Sequence, residues 1–134
     1  MRSALTILLT GAVLSWSASP CAAHHSFAAE YDINKPCKMT GTVTKFDLTN
    51  PHSWIYIDVK SENGDVANWG FETANPNSLY RRGFKKNMIT SGMVVTIEGY
   101  LPKDGTKAIA NARRVTLPDG RRVFGGSSAD VANQ

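Results

Sequence analysis

His24, His25 and His52 are the only histidines in the 134-residue chain, and imidazole is a ligand for Cu(II), Zn(II) and Ni(II). If His24 opens the polypeptide, its α-amine and its own Nδ1 chelate one ion. A second imidazole, from His52, then completes a T-shaped nitrogen set suited to Cu(II), with His25 as an auxiliary. Copper heads the affinity order of the divalent first-row metals, so such a set favours it. The plainer reading is that two histidines make a polar start to the chain, since termini are ordinarily untethered. On that reading His52, which follows Pro51, opens a strand and caps a backbone group.

Whether His24 comes first depends on the residues before it. Arg2, the apolar run Ala4 to Leu14 and the small-residue stretch Cys21-Ala22-Ala23 form the three parts of a secretory signal. Cys21 and Ala23 satisfy the small-residue requirement of signal peptidase, which places the new N-terminus at His24. The apolar run is shorter than the roughly 20 residues a bilayer span needs, so no transmembrane segment is expected. Ala18-Ser19-Pro20 ahead of Cys21 does not match a lipoprotein signal. The expected protein is periplasmic or secreted. Arg2 is the one charged residue in the segment, so 14 basic and 11 acidic residues remain, an excess compatible with weak contact to anionic surfaces. Cleavage leaves Cys37 as the lone cysteine, so no intramolecular disulfide forms and the core must hold the fold. Cys37 itself is expected to be buried and inert.

The remaining chain is long enough for one domain. Residues 38–45 alternate Met39, Gly41 and Val43 against Thr40, Thr42 and Thr44, a strand pattern. Trp54 to Val59 alternates again, and Glu62-Asn63-Gly64-Asp65 is a hairpin turn leading into a partner strand from Val66 to Glu72. Asn75-Pro76 starts a short helix that Gly83 ends. Strands follow over 93–100 and 108–117, with a short extension over 121–124. Three strands, one helix and two strands is the order of a five-stranded OB-like Greek-key barrel with one short helix between strands 3 and 4. An open α+β roll is the alternative. Glycines 41, 70 and 99 fall inside the strands, where glycine marks bulges and sharp bends. The expected organisation is a signal over 1–23, an arm over 24–37, the β domain over 38–124 and a disordered tail over 125–134. Two aromatics and two carboxylates directly after the histidines suggest that the arm packs on the domain.

Trp54, Tyr56 and Trp69 are candidates for an aromatic ligand-binding face, because exposed rings on such a barrel are where ligands stack. A small second core under the arm or helix is the alternative, and Trp69 with Phe71 also reads as core. The basic pairs Arg81-Arg82, Lys85-Lys86, Arg113-Arg114 and Arg121-Arg122 read as solvated faces, and export argues against nucleic acid. No nucleophile motif, Gly-rich phosphate loop, Cys-x-x-Cys or His-Glu-x-x-His occurs, so no catalytic residues and no enzyme activity are expected. Two function classes remain open: a copper-binding accessory protein, and a module that docks a periplasmic partner protein or small ligand.

The set His24-His25-Ser26-Phe27, Asn50-Pro51-His52-Ser53-Trp54, Asn75-Pro76-Asn77, Arg81-Arg82-Gly83 and Leu117-Pro118-Asp119-Gly120-Arg121 resembles a family of small exported bacterial proteins of unassigned function. The resemblance spans the chain after the signal and implies no activity. The chain is more weakly similar to periplasmic OB-fold copper chaperones, which carry Cu(I) on a His, two Met and a Trp. Met39, Met88 and Met93 lack the paired spacing of that ligand set, so a copper site here would be nitrogen-rich.

Overall fold

The computed structural model describes residues 27–124. Residues 1–26, which include the expected signal, His24 and His25, and residues 125–134, expected as a tail, lie outside the described residues. The chain is mostly β. A single turn, α1 (Phe27–Glu30), leads into β1 (Tyr31–Asp47), followed by β2 (Trp54–Lys60) and β3 (Val66–Glu72). The helix α2 (Pro76–Arg81) comes next, then β4 (Val94–Pro102), β5 (Ile109–Thr116) and β6 (Arg122–Phe124). One sheet has the order β3-β2-β1-β4-β5-β6, all neighbours antiparallel. A further parallel ladder, Gly70 to Glu72 against Ile109 to Asn111, joins β3 to β5. Among the described residues no helix is long and apolar enough to cross a membrane.

Alternation supplies the core. Ile55 and Ile57 of β2, Phe71 of β3, Val95 and Ile97 of β4 and Val115 of β5 all point to one side and are buried. The Asn75 side chain accepts from the Ser78 amide at 2.9 Å, capping α2, and the helix puts Leu79 into the core. Fully burying a residue of that size is worth about 2 kcal/mol, which a two-turn helix needs because it is marginal by itself.

Three expectations need correcting. The sheet has six strands, not five, because Arg122–Phe124 adds to β5 as a strand of its own. β1 starts at Tyr31, not Lys38: Pro36, Cys37 and Lys38 pair with Tyr100, Gly99 and Glu98, and a register shift between Tyr31 and Pro36 takes up the irregular stretch. Cys37 is half-buried, not fully enclosed, and burial pushes its thiol upward.

Candidate functional site

Two loops and the arm converge on Glu72. Residues 49–53 form a tight connection in which the Thr49 hydroxyl donates to the His52 carbonyl at 3.0 Å. The Thr73 amide donates to the Ser53 carbonyl at 2.8 Å, and the Ser53 amide donates to the Ala74 carbonyl at 3.2 Å. These bonds continue the β2–β3 pairing past its last register pair, Trp54 with Glu72, and they hold His52 beside the end of β3. There the Nδ1 of His52 meets Oε1 of Glu72. From the other side the Tyr31 hydroxyl donates to Oε2 of the same carboxylate. Glu72 and Tyr31 are each 4% exposed, whereas the His52 side chain retains 23% of its surface.

Glu72 lies on the face opposite the core side chain of Phe71, and its burial is completed by the arm. Phe27 stacks on Tyr31 with ring centres 5.6 Å apart and meets Tyr100 edge-on at 5.6 Å. Lys103 fastens the turn from both directions: its amide donates to the Glu30 carbonyl at 2.9 Å and its Nζ to the Ala28 carbonyl at 2.6 Å. A buried carboxylate is tolerated only when its oxygens are bonded, and both are. Burial first, then Glu72, pushes the Tyr31 phenol well above its ordinary range, so Tyr31 is a neutral donor. With Nδ1 turned to the carboxylate, Nε2 is the ring nitrogen left to bind something else. A carboxylate behind the far nitrogen is the usual support of a metal-binding histidine, because it fixes the tautomer and the ring plane.

Asn111 completes the row. It is the ladder partner of Glu72 on one side and of Tyr100 on the other. It is 1% exposed, and among the described residues neither Oδ1 nor Nδ2 has a hydrogen-bond partner.

The candidate residues divide into three groups. His24 and His25 lie outside the described residues, and among the described residues no three His, Cys, Asp or Glu side chains form a group able to hold a metal. Trp54 and Tyr56 share the outer face, stacked with ring centres 6.4 Å apart. They lie over Gly70, where a Cβ would come within 3.1 Å of Tyr56 Cε1 and 3.5 Å of Trp54 Cε3. Lys45 Nζ sits 5.9 Å from the Tyr56 ring centre. Trp69 is not part of that face, because it is in register with Ile57 and packs against the core. Met39, Met88 and Met93 also pack against the core.

Sequence reasoning missed Tyr31 and Glu72. The signal was present for the second: Glu72 is the one charged residue in the run Gly70 to Ala74, all of which is buried, and a carboxylate inside such a run needs a partner. Nothing local marks Tyr31, whose partner is 41 positions away.

A model of a family of unknown function, DUF6152, matches residues 12–111 of the chain. No curated protein and no solved structure matches it.

Proposed function

The chain belongs to that family of unknown function, DUF6152, and from this premise we propose that it is an exported copper-binding accessory protein, not an enzyme. On this reading Met1 to Ala23 are removed and the sheet, whose β3–β5 ladder links the strand at one end to the strand next to the other end, is a five-stranded OB-like barrel extended by β6. The ion is held by the α-amine and Nδ1 of His24 and by Nε2 of His52, with His25 as an auxiliary. The observation that carries the reading is the double use of Glu72. One oxygen orients His52 and the other receives Tyr31 of the arm, so a single buried carboxylate ties the imidazole to the segment that leads back to His24. Three peptide units before Phe27 keep the His24 backbone within about 11 Å of it. The ligand set is nitrogen-rich and independent of methionine, consistent with the packing of all three methionines on the core.

The test is a Cu(II) titration followed by electron paramagnetic resonance. It compares protein starting at His24, the same protein with one added N-terminal glycine, His52→Ala and Glu72→Gln. A free amine and the His52 ring are both required, so the extension and His52→Ala should each weaken binding by tenfold or more. Glu72→Gln should cost about 10- to 100-fold, as loss of an outer-shell partner does. Equal affinity in all four proteins, or a native chain that starts at Ser26 or later by mass, would overturn the reading.

A second reading is favoured by the stacked pair Trp54 and Tyr56, both half-exposed. The barrel would then dock a periplasmic partner or apolar ligand on that face without metal. Loss of such binding in Trp54→Ala, with copper affinity unchanged, would identify it.

A further inference from the structure

Beside Tyr100, an open groove of about 330 Å³ runs across β1, β4 and β5. Its origin is a fault in the β4–β5 ladder. The register shifts between Glu98 and Gly99, so that Glu98 pairs with Arg114 while Gly99 pairs with Ala112, and Arg113 is the extra residue. In a regular strand Arg113 and Arg114 would face opposite sides of the sheet. Here Arg113 Nη1 donates to the Tyr100 hydroxyl at 3.1 Å and Arg114 Nη1 to Glu98 at 2.9 Å. Glu98 and Tyr100 are two apart on β4 and so share a face, which means both guanidinium groups reach the same face. Gly99 permits the close approach of the strands: a Cβ there would fall 1.7 Å from the Asn111 carbonyl oxygen.

The charge balance of the groove is one-sided. Among the described residues, Lys38, Arg113 and Arg114 line it against the single carboxylate of Glu98. Glu98 is already shared between Arg114 and Lys38, whose Nζ lies 3.5 Å away. Arg113 has a different partner, since the Tyr100 phenol takes one of its N–H groups and brings no charge. A guanidinium held along one side, with a second beside it and an ammonium opposite, matches the planar oxygens of a carboxylate or the tetrahedral oxygens of a phosphate. The ring of Tyr100 and the apolar edge of Pro36 supply walls, and the size is at the small end of ligand clefts.

We propose that this groove binds a small oxyanion, a carboxylate or a phosphate, between Arg113, Arg114 and Lys38. Glu98 orients two of the three cations and sets an upper limit on affinity by its own negative charge. Tyr100 is the wall shared with the arm, touching Phe27 with its ring and Arg113 with its oxygen.

The test is calorimetric titration at low ionic strength of the whole exported chain with inorganic phosphate and, separately, with succinate. At least one should bind with one equivalent per chain, and which one does identifies the class. Arg113→Ala should weaken that binding about tenfold, the value of one charge-assisted contact. Glu98→Gln should tighten it, because the ligand then meets less repulsion. A Lys85→Ala variant, which removes one positive charge as Arg113→Ala does but is remote in sequence from the groove, controls for the general positive field and should bind as the parent does. Arg113 is exposed, so its variant folds and a lost signal reports binding. No heat with either anion up to about 10 mM, where a site of useful strength would be filled, overturns the proposal. So does an unchanged affinity in Arg113→Ala, or an equal loss in the lysine control.

Discussion

Glu72 and Glu98 each hold two partners, yet one is a structural keystone and the other an adjustable surface charge. Glu72 is buried under the arm between a phenol and an imidazole. Glu98 stands at the rim of an open groove between Arg114 and Lys38, which hold its carboxyl below the ordinary range, Arg114 most strongly. Water can replace either partner of Glu98. It cannot reach Glu72, so removal of that carboxylate strands a buried hydroxyl and frees His52. The difference in environment, not in number of contacts, separates a residue that sets geometry from one that tunes a field.

The largest expected effect follows directly. Glu72→Ala should lower unfolding free energy by about 3 kcal/mol, combining the loss of a buried pair with an unsatisfied phenol. Glu98→Ala should leave the urea midpoint nearly where it was. Similar shifts for the two variants would erase the contrast.

A smaller effect isolates the arm. Tyr31→Phe keeps the ring stacking on Phe27 but removes the donor to Glu72, and should cost about 1 kcal/mol at neutral pH. Its pH dependence has a definite sign. The phenol is raised in the folded protein above its ordinary value of 10.0, so the native state keeps a proton that the unfolded state gives up. That contribution is complete below pH 10 and is lost as pH rises above it. The stability gap between parent and Tyr31→Phe should therefore be flat up to pH 10 and close above it. A gap that stays constant to pH 11 in denaturant titrations would remove Tyr31 from the buried cluster.

The comparison also explains what could be read from the sequence. Period-two alternation marked β2, and the turn after it placed β3 as its partner; Ile55, Ile57 and Phe71 occupy core positions as expected. Asn75-Pro76 and the Asn63-Gly64 turn carry local chemistry that sets the helix start and the hairpin. His52 stood out because histidine is scarce. The start of β1 was hidden, because Asp32 to Pro36 has a single aliphatic residue, the exposed Ile33, and ends in proline, and only pairing with β4 makes it a strand. The outward turn of both Arg113 and Arg114 was hidden for a related reason: a bulge is a relation between two strands. The glycine inside the β4 pattern hinted at an irregularity, while its effect on Arg113 required the partner strand.

The smallest expected effect has the opposite sign and tests the row beneath the arm. Asn111 sits between Glu72 and Tyr100 on neighbouring strands, as deeply buried as the carboxylate but with neither amide atom bonded among the described residues. Desolvating an amide without returning a hydrogen bond costs stability, whereas valine is closer to asparagine in volume than leucine is, suits a strand and has nothing to desolvate. Asn111→Val should thus raise stability by about 1 kcal/mol, which for a domain of this size is a thermal midpoint higher by about 4 °C. Asn111→Asp should lower it, since the new carboxylate is buried next to Glu72 without a cation. If Asn111→Val and the smaller Asn111→Ala are both destabilising instead, the amide is bonded in solution. The row under the arm would then be a connected polar network from His52 to Tyr100, no longer a satisfied glutamate beside an unsatisfied asparagine.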